Sequence, residues 1–211
     1  MGAIWLLGVT LLASIFVESD AYVPHQHRIL CSRLKPITSL DHKGLEGPWL
    51  TVETLLLRNG VPQKHDDTRS KVCIRTFISD ASESGLSLRS EIRLGAEKRK
   101  TGISKLEITD PLEPGRLTLM AKRPSTLNSD MLVIAARSSE FIVLAYCQPV
   151  PLSDEDEEIE DRPALWVKVL GRPSAYGGVA ISSRDLHSLR NRIADILGLS
   201  ELNSVRYDTS C

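Results

Sequence analysis

From Trp49 to Gly171 the chain consists of eight short runs in which apolar residues alternate with polar ones or follow one another unbroken, each bounded by turn-forming residues. A period of two sends successive side chains to opposite faces of an extended strand, so the pattern commits this region to β-sheet. The runs are Trp49–Leu57, Val72–Ser79, Leu86–Leu94, Gly102–Ile108, Arg116–Ala121, Met131–Ala136, Phe141–Cys147 and Ala164–Gly171. In the second, Val72, Ile74, Thr76 and Ile78 share a side; in the third, Leu86, Leu88, Ser90, Ile92 and Leu94 do. Pro111, Pro114 and Gly115 separate the fourth from the fifth. The sixth and seventh flank the polar Arg137-Ser138-Ser139-Glu140, a hairpin pattern. Strands at this spacing suit a sandwich or an up-and-down barrel.

The period then changes. Leu186, Leu189, Ile193, Ile196 and Leu197 recur at helical spacing over residues 182–198. Ser182 and Asp185 form a capping box at the start, and Gly198 stops the helix. Arg184, His187, Arg190 and Arg192 lie largely off the apolar stripe, so the helix is expected to pack on the outside of the sheet. Residues 199–211 are a tail ending in Cys211.

At the other end, Ile4–Val17 is apolar and uncharged, a run of 14 residues. A bilayer-crossing helix needs roughly 20. Ser19-Asp20-Ala21 then offers small residues where a signal peptidase reads them. Residues 1–21 are therefore expected to be a secretory signal peptide, and the mature chain to be secreted and extracellular. Residues 22–44 follow as a polar arm with Pro24 and Pro36. Losing Glu18 and Asp20 with the leader leaves 26 basic and 25 acidic residues, a formal charge of +1. That balance argues against a nucleic-acid binder, which carries a basic excess.

All four cysteines, Cys31, Cys73, Cys147 and Cys211, lie beyond the leader. An even number in an exported chain implies two disulfides, and spacing alone permits three connectivities. Gaps of 42, 74 and 64 residues are too wide for a zinc knuckle, and no metal or other cofactor is expected. His25, His27, His42, His65 and His187 are scattered, and no nucleophile elbow, phosphate loop or zinc-protease motif occurs. The chain does not read as an enzyme.

Gly47-Pro48-Trp49 opens the first strand after a polar arm, Val133–Cys147 forms a strand, turn and strand, and Trp166–Pro173 (WVKVLGRP) closes the eighth strand with an arginine. In these three places the chain resembles a lipocalin. The resemblance implies an all-β fold, an eight-stranded antiparallel up-and-down β-barrel over residues 45–181 with the C-terminal α-helix packed outside. It implies that Trp49 plugs one end, that Gly47 allows close approach there, and that Arg172 lies over the Trp49 ring. The order of the cysteines is similar to that in lipocalins of the apolipoprotein D and insect bilin-binding type. That similarity implies the pairs Cys31–Cys147 and Cys73–Cys211. The turn Ala136-Arg137-Ser138 stands where the family carries Thr-Asp-Tyr, which marks a divergent member.

A barrel of eight strands encloses room for one small ligand. With Arg172 at the floor, alternation turns Leu170, Lys168 and Trp166 inward, and Glu53 shares the parity of Trp49. Lys168 then either meets a ligand carboxylate or phosphate, pairs with Glu53, or lies outside through a one-residue slip. The expected role is a carrier of a small apolar ligand (lipid, fatty acid, sterol or retinoid). The alternative is a protein-interaction module that engages a protein or membrane receptor through the barrel rim and the acidic run Asp154–Asp161, which holds seven acids in eight residues. That run is expected to be a solvated loop at the mouth. Lys98-Arg99-Lys100 is expected in another mouth-side turn. The leader assignment predicts that amino-terminal sequencing of the protein exported from an animal cell starts at Tyr22; an unprocessed Met1 would refute it.

Overall fold

The computed structural model describes residues 31, 33–58, 61–63, 72–94, 98–119, 129–147, 165–200 and 202–211. Residues 1–21 (expected to be a leader), the start of the arm with His25 and His27, His65 and the acidic run Asp154–Asp161 lie outside the described residues. The strands are β1 (Gly47–Arg58), β2 (Val61–Pro62), β3 (Val72–Ser82), β4 (Gly85–Leu94), β5 (Lys98–Glu107), β6 (Arg116–Leu119), β7 (Ser129–Arg137), β8 (Phe141–Cys147), β9 (Leu165–Gly171) and β10 (Ser204–Arg206), with one helix, α1 (Ser183–Leu197), before the last.

β1 and β3 to β9 pair antiparallel in chain order, and β9 returns to β1, so eight strands close into a barrel. The closing ladder runs from Leu50↔Gly171 to Leu57↔Leu165. β10 pairs with β1 through Thr54↔Val205, and the chain beyond it donates from Asp208 N to Val72 O at 3.0 Å. The C-terminal strand thus lies between β1 and the start of β3. Disulfides join Cys31 to Cys147 and Cys73 to Cys211, with Cα atoms 6.1 and 6.3 Å apart. They tie the arm to β8 and the tail to β3. Each closes a long loop and contributes roughly 2–4 kcal/mol.

One irregularity in β1 decides the inside of the barrel. The closing register shifts between Thr51 and Glu53, leaving Val52 as an extra residue. A bulge of one residue reverses the alternation beyond it. Trp49 and Thr51 face in before it; Thr54 and Leu56 face in after it, opposite Lys168 and Trp166. Glu53 therefore faces outward, contrary to the expectation from its parity with Trp49. The Arg190 guanidinium of α1 makes a bidentate contact with it, Nε lying 2.9 and 3.0 Å from the two carboxylate oxygens. Ser204 Oγ of β10 donates to the same carboxylate at 3.2 Å.

The outer faces of β1, β8 and β9 are apolar and carry the helix. Val52, Leu55 and Leu57, with Val143, Val167 and Val169, pack against Leu189, Ile193 and Leu197 in one buried cluster. This is why PheIleValLeuAla in β8 reads as an unbroken apolar run: both of its faces are covered. Ser182 caps α1 by accepting from Asp185 N at 3.1 Å, and Gly198 ends it with φ of 69°. The arm is less loose than its composition suggests. Leu34 is buried in the helix-side cluster, and Ile37 N donates to Val133 O at 2.9 Å. Gly115 leaves room for that crossing: a Cβ there would come within 2.9 Å of Ile37 N.

Lys98-Arg99-Lys100 is a correction. These residues begin β5, pairing Lys98 with Leu94 and Lys100 with Ile92, and do not form a turn. Long basic side chains can reach water from a strand end as well as from a loop, so their charge does not mark a turn.

Glu53 is 4 % exposed, so its carboxylate depends on Arg190. Arg190→Ala is expected to destabilise the fold by about 3–5 kcal/mol by leaving a buried charge unpaired, whereas replacing both residues with leucine is expected to be near neutral. Urea titrations of the two variants check this, and equal losses would show that the pair itself carries the stability.

Candidate functional site

The barrel interior is closed at one end. The Trp49 ring is fully buried there, and its Nε1 donates to Leu45 O at 2.8 Å. Leu170, Ile142, Val133, Leu117, Leu106 and Ile78 pack around it. The Arg172 guanidinium covers the ring from outside, its Cζ 3.8 Å from the ring centroid. Its hydrogens go to backbone carbonyls: Ser138 O at 2.8 Å, Glu46 O at 2.8 Å and Gly44 O at 2.6 Å. Gly47 has φ of 111°, and a Cβ there would lie 2.9 Å from Arg172 Nη1. Both reasons require glycine: the backbone conformation and the space the guanidinium takes. The turn residues Ser138 and Glu140 serve Arg172 through their carbonyls, Glu140 O accepting from Arg172 N at 2.8 Å. Backbone groups suffice at that turn.

Toward the other end the interior changes. Side chains of the same inward parity (Ile74, Ile92, Met131, Tyr146, Trp166 and Lys168) keep part of their surface accessible. Among the described residues the barrel thus forms a cup, packed around Trp49 and less fully buried around Trp166. Its open half is mainly apolar, and the Tyr146 and Trp166 rings meet on its wall with centroids 5.5 Å apart.

Lys168 lies in this half, one inward step above Leu170 of the packed floor. Its cross-strand neighbours are Thr54 on β1 and Leu144 on β8. Nζ lies 5.6 Å from the Trp166 ring centroid, and among the described residues no carboxylate pairs with it. Burial pushes its ammonium below the ordinary lysine value of 10.5. Lys168 is part-exposed by area yet crowded by protein atoms, as a side chain projecting into a narrow cup would be. Among the described residues three polar atoms of β1 and β9 are buried with no hydrogen-bond partner on this inward face: Thr51 Oγ1, Thr54 Oγ1 and Trp166 Nε1. By the β1–β9 register all three side chains share the inward face with Lys168.

Of the residues read from the sequence as site residues, Trp166, Lys168 and Leu170 line the cup, and Gly47, Trp49 and Arg172 form its closed end. Glu53 lies on the other side of the wall, against α1. Thr51 and Thr54 were not legible as a pair. Their separation of three puts them on opposite faces of a regular strand, and only the bulge brings both inward. Tyr146 was not marked either, because β8 is an unbroken apolar run; it shares the inward parity of Ile142 and Leu144 once the register is known.

No protein-family model matches the chain, and no curated protein does. Among the described residues no helix is long and apolar enough to cross a membrane.

Lys168→Met keeps the side chain's length and removes its charge. It is expected to stabilise the empty protein by about 1–3 kcal/mol, since a crowded ammonium without a counter-ion opposes folding. With the folded pKa lowered, the gain is complete below that pKa and shrinks as pH rises toward 10.5, where the unfolded lysine also loses its proton. Thermal melts of both proteins from neutral to alkaline pH check the size and the sign. An unchanged or lower Tm would mean that Lys168 is solvated or paired.

Proposed function

We propose that the chain is a secreted lipocalin-like carrier that holds one small hydrophobic molecule in the open half of its barrel. The observation that carries this reading is the graded interior, packed solid around Trp49 and accessible around Trp166, Tyr146, Ile74 and Ile92. A deep apolar cup is poorly filled by water, and transfer of an apolar molecule into it is favourable. The Gly47–Trp49–Arg172 closure agrees with the lipocalin resemblance, as does the helix on the outer wall. Two disulfides and the apolar leader agree with export. All four cysteines are bonded, so no free thiol is offered to the cup. The role proposed is binding without bond chemistry.

The test is extraction of the protein, secreted from an animal cell, with organic solvent, followed by mass spectrometry of the extract and titration of the stripped protein with apolar probes. One defined apolar molecule per chain, or saturable uptake near one per chain, is the expected result. An empty extract together with no uptake would overturn the carrier reading.

A further inference from the structure

We propose that the outer face of β3, β4 and β5 binds a linear sulfated polysaccharide, laid along a file of four cations: Arg93, Arg75, Arg89 and Lys105. This face lies on the outside of the barrel, and its chemistry does not depend on what the cup holds.

The register places the four. Trp49, Thr76, Ser90 and Gly102 pair in one inward row, so the rows on either side of it face out. In those rows Cys73 pairs with Arg93, Arg75 with Glu91, Phe77 with Arg89, and Ser87 with Lys105. Arg93 and Arg89 are thus the two diagonal neighbours of Arg75 on β4, and Lys105 is the diagonal neighbour of Arg89 on β5. Such neighbours lie about 7–8 Å apart. From the row of Arg93 to the row of Ser87 the file advances about 20 Å along β4.

The fold does not use these cations. Arg116, Arg137 and Arg190 meet carboxylates, and Arg172 meets carbonyls. Among the described residues no group pairs with Arg75 or Lys105, and Arg93 Nε is buried without a partner. The Arg89 guanidinium lies over Phe77, its Cζ 4.7 Å from the ring centroid. A guanidinium held by its face keeps its fork of N–H donors free for an oxyanion. Glu91 is the acid inside the file, half-buried and 3.7 Å from Arg89; Glu107 lies beyond its end. The helix covers β1, β8 and β9, and Arg89, Thr101, Ile103 and Lys105 are exposed. The total charge conceals this face. Seven of the 25 acids beyond residue 21 lie in the run 154–161, so the other residues there carry a formal charge of +8.

Shape and composition select the partner. A protein partner needs apolar surface at the centre of its contact, and here the centre is charged; Ile103 is the only exposed large apolar side chain on the described part of this face. A nucleobase needs an open ring to stack on, and Phe77 is under Arg89. The outer wall of a barrel is convex, so a membrane plane would touch its crest and miss the ends of the file. A flexible chain with sulfates along its length follows the curve and offers each cation an anion, in charge-assisted hydrogen bonds.

The experiment measures binding of the full-length exported protein to heparin, to desulfated heparin, to polyglutamate and to vesicles containing phosphatidylserine. Heparin is expected to bind and its desulfated form to fail. Arg75→Gln with Lys105→Gln is expected to weaken heparin binding at least about tenfold, through loss of two charge-assisted contacts. Arg184→Gln with Arg192→Gln removes the same charge from exposed positions on α1 and is expected to cost less than about twofold, since distant charges are screened. Acetylation of the unaltered protein keeps the test open if a variant fails to fold: bound heparin is expected to protect Lys105 and to leave Lys35, exposed on the arm, reactive. Equal losses in the two double variants would reduce the effect to net charge and overturn the file. Protection of Lys35 without Lys105 would overturn its location. Equal binding of desulfated heparin, or tighter binding of polyglutamate or of the vesicles, would overturn the sulfated class. No binding of heparin would overturn the inference and leave the carrier reading standing.

Discussion

The ladder between β1 and β9 is the constraint on which the rest of the molecule depends. Without it the sheet has two edges and no interior; with it, eight strands enclose a space. The same ladder carries the Val52 bulge, and the bulge assigns each β1 residue to the cup or to the helix. Thr51 and Thr54 can face inward together while Glu53, between them, faces Arg190. A regular strand could not do this, because its alternation is strict. The bulge thus serves two faces at once, providing polar groups inside and an ion pair that docks the helix outside.

The closed end shows how much of a barrel's shape depends on one cation. Arg172 leaves β9 at the floor and its guanidinium reaches carbonyls from three separate segments: Gly44 and Glu46 before β1, and Ser138 in the β7–β8 turn. A planar fork with fixed donors can satisfy divergent carbonyls while its face lies on the Trp49 ring. Lysine could supply the charge but not that geometry. Gly47 is the counterpart of this arrangement, since any Cβ would meet the guanidinium. The disulfides act at a different level. They fasten the arm and the tail to strands β8 and β3, segments too short to bury much surface by themselves.

Much of this was legible in the residues. Alternation located the strands because half-buried sheets demand it, and helical spacing located α1 because Leu189, Ile193 and Leu197 had to meet one apolar wall. Where alternation failed, the cause was specific. The basic triplet at 98–100 concealed the start of β5, because long charged side chains satisfy themselves in water from either setting. The arm looked polar, yet Leu34 and Ile37 are held by a wall and a floor that lie far along the chain.

By itself the sequence determined the β class, the eight strands of the barrel and the outer helix, which follow from local periodicity; the lipocalin resemblance pointed to Gly47, Trp49 and Arg172 as the closed end, and the short strands β2 and β10 were not legible. Tertiary structure alone decided which side of the wall Glu53 and Thr54 occupy, that Arg190 answers the glutamate, and that Lys168 stands among unpartnered hydroxyls. The physical reason is the period of two. One inserted residue inverts every assignment beyond it, and nothing local in Thr51-Val52-Glu53-Thr54 says that the insertion is there; only the pairing with β9 creates it.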